Sequence, residues 1–241
     1  MTGTFLNTGA IILGGLLGTF LGARLPEKLR QSVFLALGVF CLAFGLQMFL
    51  KTENPVVPLV SILIGVMLGE WLEIEEKVAL IGKKLESMLL RFYPANTASD
   101  GRFIKGFISA SLLYCMGPMP ILGGIQNGLT GDYSILAVKS VLDGFGSLVF
   151  ASSLGFGVIF SSIPIFLYQG AIAIFAVQVQ SVLNPAMINE FTAVGGIILI
   201  GIAISSFLEI KHIRTANFLP ALFLAPLFTW FFTLLGFLGS K

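Results

Sequence analysis

The chain has 241 residues, 56% of them apolar and 11% charged, with a formal net charge of +2 and a mean hydropathy of +0.96. Soluble domains carry about a quarter charged residues, so most of this surface does not face water, and so small a charge gives no basis for nucleic-acid binding. One histidine, His212, and two cysteines, Cys41 and Cys115, leave no ligand set for a metal and no cofactor signature. Both cysteines lie in apolar runs, where packed free thiols are expected rather than a disulfide.

A bilayer crossing takes about 20 apolar residues. Eight stretches qualify in chain order: 4–23, 32–50, 56–72, 104–125, 134–158, 163–182, 191–210 and 218–239. The first lacks a preceding basic region and a cleavage site before Arg24, so it reads as a span and not a removable signal. Basic residues fall on alternate loops. Arg24, Lys28 and Arg30 follow span one; Lys77, Lys83, Lys84, Arg91, Arg102 and Lys105 follow span three; Lys211 and Arg214 follow span seven. The opposite loops hold only Lys51. The positive-inside rule then places both termini outside and the basic loops in the cytoplasm. If segment four were re-entrant, Lys211 and Arg214 would move to the outer face. The charge bias therefore favours eight spans. The expected fold is all-α: a polytopic transmembrane helix bundle forming a single domain over 1–241.

Between spans three and four, Ile74, Val78, Ile81, Leu85, Met88 and Phe92 recur at alternating steps of four and three. Residues 73–92 thus form an amphipathic helix, expected in the cytoplasmic interface or as a contact between subunits. Tyr93 to Asp100 reads as a surface loop. A repeat also shows here. Residues 64–74 align without gaps onto 200–210, sharing Leu-Glu-Ile endings. Such a match suggests a four-plus-four duplication, with halves 1–100 and 101–241, a symmetry found among transporters.

Span four holds Gly117-Pro118-Met119-Pro120 and, later, Gly123, Gly124, Gln126 and Asn127. Two prolines remove backbone donors and interrupt the helix. At membrane depth the freed carbonyls need protein or a wet cavity, which makes the break either a solute site or a kink for close packing. Span five carries Lys139 and Asp143 one turn apart, with Asp143 about 15 Å along the helix from Tyr133. A charge at that depth costs at least about 2.5 kcal/mol. The pair therefore marks a binding site, a proton path or a structural ion pair. Ser147 and Gln169 add polar groups to the same interior, with Ser152 and Ser153 less specific. Asn7 and Thr8 read as caps or turns, as does Asn184-Pro185. Glycines at fours, Gly14 with Gly18 and Gly65 with Gly69, offer close helix contacts within the chain or in a homo-oligomer. No nucleotide-binding, metalloprotease or serine-hydrolase motif is present, and an enzyme is not expected.

The run Cys115-x-Gly117-Pro118-Met119-x-Ile121-Leu122-Gly123, then Gln126-x-Gly128-Leu129-x-Gly131-Asp132, then Lys139-Ser140-x-Leu142-Asp143-Gly144, resembles the bacterial membrane family catalogued as domain of unknown function 554. The resemblance extends to the Asn7-Thr8-Gly9 start. Where members carry an acidic residue after Gln126, this chain has Asn127. The resemblance implies an inner-membrane or transport protein of the bacterial cytoplasmic membrane. Residues and resemblance together predict a transporter of a small solute or ion working in the lipid bilayer. Asp143 would bind a cation or proton, with Lys139 as its partner or an anion contact. Gly117, Pro118 and Gly123 would shape the unwound backbone, with Gln126 and Asn127 at its outer mouth and Ser147 and Gln169 lining it. The competing expectation is a membrane scaffold or passive pore in which the pair is a structural salt bridge.

Overall fold

The computed structural model describes residues 1–22, 26–90, 101–115 and 118–234, and among them all regular structure is helical. The helices are α1 (Thr2–Gly22), α2 (Glu27–Phe49), α3 (Val56–Trp71), α4 (Ile74–Leu90), α5 (Arg102–Cys115), α6 (Pro118–Thr130), α7 (Ser134–Leu154), α8 (Gly157–Phe160), α9 (Ser162–Ile174), α10 (Ala176–Val182), α11 (Pro185–Ile202) and α12 (Leu219–Leu234). A π-turn, Ala203–Phe207, extends α11, and a 3₁₀ turn, Thr215–Phe218, leads into α12.

The pattern of burial is inverted relative to a soluble protein. Phe5, Leu13, Leu17 and Phe20 on α1, and Val138, Val141, Leu142 and Phe145 on α7, lie exposed, while Asn7, Lys139, Asp143, Gln169 and Glu190 are buried. Large apolar faces of this kind find their solvent in lipid. Five helices are individually long and apolar enough to cross a bilayer, and seven crossings result if each of two bent pairs counts as one. The bent pairs are α3 with α4, at 60°, and α5 with α6, at 61°. Leu35–Phe49 of α2 is a further, shorter apolar helix.

Small residues decide which helices meet. A Cβ at Gly14, Gly18 or Gly22 would collide with the carbonyl oxygens of Gly144, Leu148 and Ser152, so α1 lies backbone to backbone along α7. Sequence positions rise together along that contact, which makes the two helices parallel. By the same reading α2 runs antiparallel to α11, with Gly38 beside Leu208 and Gly45 beside Gly196 and Ile200. Gly65 and Gly69 seat α3 antiparallel on Ala221 in the first turn of α12 and on Asn217 in the 3₁₀ turn before it. Gly124 and Gly128 meet Ile172 and Ala173, bringing α6 parallel to α9. These directions are those of segments that alternate in sense along the chain. Both glycine pairs noted in the sequence are therefore filled from within the chain. The contacts also join the first half to the second throughout, so the halves do not form separate bodies.

Several boundaries differ from the sequence reading, each for a local reason. Gly155, at φ 73, ends α7 at Leu154 instead of carrying span five to 158. A break at Phe175 divides span six into α9 and α10, and the short α8 fills the interval between α7 and α9. Pro185 at the first turn of α11, capped by Asn184 Oδ1 accepting from the Met187 amide at 2.9 Å, starts span seven six residues before 191. In α4, Val78 and Leu85 pack on the main core and Gly82 faces Ile104 and Phe107, so part of its apolar stripe covers α5, whereas Ile81 stays exposed. The expected stripe residue Phe92 and the loop 93–100 lie outside the described residues.

Candidate functional site

Lys139 and Asp143 sit one turn apart on α7 and both are buried. The ninth residue after Ser134, Asp143 lies about 14 Å along a helix of about 31 Å, at its middle. The Lys139 ammonium donates to Asp143 Oδ2, and Asn7 Nδ2 donates to the same oxygen at 3.0 Å. Asn7 belongs to neither a cap nor a turn, contrary to expectation. It is fully buried inside α1, and the close approach of α1 at Gly144 is what carries it to the carboxylate. Both bonds fall on Oδ2. Asp143 Oδ1 receives neither, and about 10% of the side chain remains accessible. The Asn7 carbonyl oxygen, beside the pair, is buried with no partner.

The break in the fourth segment abuts this pair. Tyr114, in the last turn of α5, places its ring 5.8 Å from the Lys139 ammonium and shares a 2.9 Å hydrogen bond between its hydroxyl and Ser147 Oγ. Pro118 opens α6 and has no amide hydrogen for the Tyr114 carbonyl four residues earlier. Cys115, the next residue after Tyr114, ends α5. Gly117 is outside the described residues. Of the residues singled out in the sequence, Lys139, Asp143 and Ser147 therefore come together, beside Tyr114 at the end of α5.

The others lie toward the α6–α7 turn. Gly123 packs on Leu136, one turn before Lys139. Gln126 donates to Asp132 Oδ2 at 2.6 Å, and Asn127 donates to the Gly131 carbonyl at 3.2 Å, leaving its own buried Oδ1 without a partner. Neither bonds to the central pair. Asp132 is held below the usual carboxylate range by the Ser134 hydroxyl and amide, which keeps this rim anionic. Gln169 on α9 is fully buried, and neither atom of its amide has a partner; Thr4 Oγ1 on α1 is in the same state. Buried polar atoms are satisfied in the great majority of cases. The open bonds of Thr4, Asn7, Asn127 and Gln169 are therefore available to water or another polar group.

The sequence reading passed over two polar clusters. Glu190 on α11 is almost wholly buried, and its carboxylate accepts from the Thr52 hydroxyl at 2.7 Å and from the Glu53 and Asn54 amides at 2.8 and 3.1 Å. Every bond there closes the α2–α3 loop, a structural role, and the helix start at Asn184-Pro185 was the signal for its depth. At the basic end, Arg214 pairs with Glu70 and Glu76, and Lys105 with Glu209. Glu75 accepts from the Ala216 amide while its own amide donates to Asn217 Oδ1. Partial burial raises the Glu75 carboxyl above its ordinary value, against the lowering pull of that amide, His212 and Arg214. Among the described residues no three His, Cys, Asp or Glu side chains converge as metal ligands.

Two curated relatives cover nearly the whole chain. "Uncharacterized protein YqgA" of Escherichia coli (strain K12) is 35% identical over 223 residues, 92% of this chain and 94% of that protein. "Uncharacterized membrane protein YdfK" of Bacillus subtilis (strain 168) is 33% identical over 231 residues, 94% of each. No solved structure is significantly similar to the chain. Residues 2–230 match the family described as "Protein of unknown function (DUF554)". With its apolar exterior, its buried charges and these relatives, this is a membrane protein, and it belongs to the DUF554 family.

Proposed function

We propose that the protein transports a small solute or ion across the cytoplasmic membrane, with the basic loops inside, both termini outside and eight crossings. Asp143 is the carboxylate that exchanges partners, and Lys139 is its internal counter-ion when the site is empty. One observation carries the reading. A mid-bundle carboxylate has one oxygen accepting hydrogen bonds from both Lys139 and Asn7 and the other outside both bonds, beside the end of α5 where the fourth segment bends. A fixed structural ion pair gains by satisfying every lone pair, because unpaired groups are expensive at low dielectric. Here the Asn7 carbonyl stays unpartnered next to the pair, and Gln169 and Asn127 leave further polar atoms open. Those atoms support the interior of a transport route. No catalytic step is proposed.

The test is a panel of ions, amino acids and organic acids in two assays on the purified protein: thermal shift in detergent and flux in proteoliposomes. Wild type is run beside Asp143→Asn and Lys139→Met. A ligand at about 100 times its dissociation constant adds roughly 2.7 kcal/mol to the folded state. The expected result is a shift and a flux that both folded variants lose. Unchanged flux in folded Asp143→Asn would overturn the assignment. Early melting of both variants with no ligand response in wild type would point instead to a scaffold held by a structural pair.

A further inference from the structure

At the basic end of the bundle lies a cavity of about 320 Å³ that the proposed site does not use, lined by Glu75, Lys105, Ser206, Glu209, His212 and Ile108 among others. It opens to water beside Lys105 and Glu209, whose side chains pair at 2.6 Å while 40% and 63% exposed. Three unusual features of the fold meet in its wall. Ser205 and Ser206 come from the π-turn that ends α11, a device found often at functional sites. Glu209 holds a left-handed backbone at φ 51, a conformation non-glycine residues adopt at a cost. His212 is the chain's one histidine.

The floor of the cavity belongs to α5. Ile104 and Ile108 line it, and steps of four, three and four place Ile104, Ile108, Ser111 and Cys115 on one helical stripe. The upper end of that stripe is Cys115, the residue after Tyr114, whose ring lies 5.8 Å from the Lys139 ammonium. Its middle is Ser111, whose hydroxyl is buried and has no hydrogen-bond partner. From Ile108 to Cys115 the rise is about 10 Å. Ser111 thus lies on the stripe between the pocket and the ion pair, and its free hydroxyl can carry a hydrogen bond across the gap.

We infer that this cavity is the vestibule of the Lys139–Asp143 site on the basic face of the membrane, reached along the Ile104–Ile108–Ser111–Cys115 stripe of α5, with the Lys105–Glu209 pair across its mouth. The inference rests on the transport reading for the role of the pair, but the route itself is a statement about access. The solute it admits is small and polar, since the pocket carries carboxylates, an ammonium, an imidazole and hydroxyls over an isoleucine floor.

Access is tested by thiol labelling in sealed vesicles of both orientations, using a membrane-impermeant cationic methanethiosulfonate. Ile108→Cys and Ser111→Cys are placed singly in a chain carrying Cys41→Ala and Cys115→Ser, with Leu112→Cys, which points into the core, as the control. The expected result is labelling of Ile108→Cys and Ser111→Cys from the basic face, at least tenfold faster than from the opposite face. Adding Glu209→Gln should speed both, and Leu112→Cys should stay unreactive. Labelling of Ile108→Cys without Ser111→Cys would show a blind pocket and overturn the route, as would labelling of neither. Hydroxyl-radical footprinting of the unsubstituted protein guards against a folding artefact, with oxidation of Cys115 in preference to Cys41 expected, and equal protection of both counting against the route. Flux in the same vesicles is read separately, so an open route with flux indifferent to Asp143→Asn would sink the transport reading and leave the vestibule standing.

Discussion

A double-mutant cycle on the central pair separates what the fold requires from what transport requires. Lys139 and Asp143 are both at least nine-tenths buried as side chains, so removal of one partner strands a charge in the interior. Breaking a buried pair in this way costs about 3–5 kcal/mol, and Lys139→Met and Asp143→Leu should each show that loss. The double variant removes both charges and fills their space with apolar groups. What it leaves unsatisfied is the Asn7 amide, which loses its 3.0 Å bond, a cost of about 1–3 kcal/mol. The double variant should therefore be more stable than either single one, with a coupling energy well above 2 kcal/mol. Thermal or denaturant unfolding in one detergent measures the stabilities, and solute flux is followed in the same preparations. The expected pattern is stability largely restored and flux absent. Additive losses would mean that the pair does not interact as described, and restored stability with restored flux would mean that the charges serve the fold alone.

Two further outcomes follow from local geometry. Gly14→Ala should destabilise by about 1–3 kcal/mol, because its methyl meets the Gly144 carbonyl and only backbone movement can relieve the overlap, while Gly9→Ala, with nothing within 4 Å, should be neutral or gain about 0.5–1 kcal/mol by melting temperature. Glu75 has a folded-state value raised above its ordinary 4.5, so the folded state holds that proton more tightly than the unfolded one. Its contribution is complete below the ordinary value and is lost as pH rises through the raised one; Glu75→Gln should thus flatten the melting-temperature profile above pH 4.5 without weakening the protein at neutral pH, and a steeper profile would contradict the assignment.

The membrane fold was legible in the sequence because its signals are one-dimensional. Apolar length marks a membrane-spanning helix, and the two prolines beyond Gly117 mark a break. Each depends on neighbours along the chain. Lys139 and Asp143 were legible for the same reason, being a single turn apart. Asn7 was not, because nothing near it in sequence hints at a partner on α7; the partner is supplied by the glycine contact that brings α1 to Gly144. Tyr114 was hidden likewise, since its hydroxyl finds Ser147 only after α5 packs across α7. Glu190 was passed over for the same reason, since the Thr52, Glu53 and Asn54 groups it accepts from lie in the distant α2–α3 loop.

The repeat stands between these cases. Residues 64–74 and 200–210 match in sequence, and their aligned glutamates, Glu73 and Glu209, are the two non-glycine residues with positive φ among the described residues, at 50 and 51. Two such uncommon backbones at equivalent positions support a common origin more strongly than matched apolar letters can, since apolar segments align readily by chance. The turns then diverge in use. After Glu73 the chain bends by 60° straight into α4, whereas Glu209 continues to an open loop and lends its side chain to Lys105 at the mouth of the cavity. Packing diverges as well, because α1 with α7, α2 with α11 and α3 with α12 all cross between halves. Interleaved halves of this kind can keep the same turn at both places and still use the second one differently, where the loop lends Glu209 to the wall of a pocket instead of starting a helix.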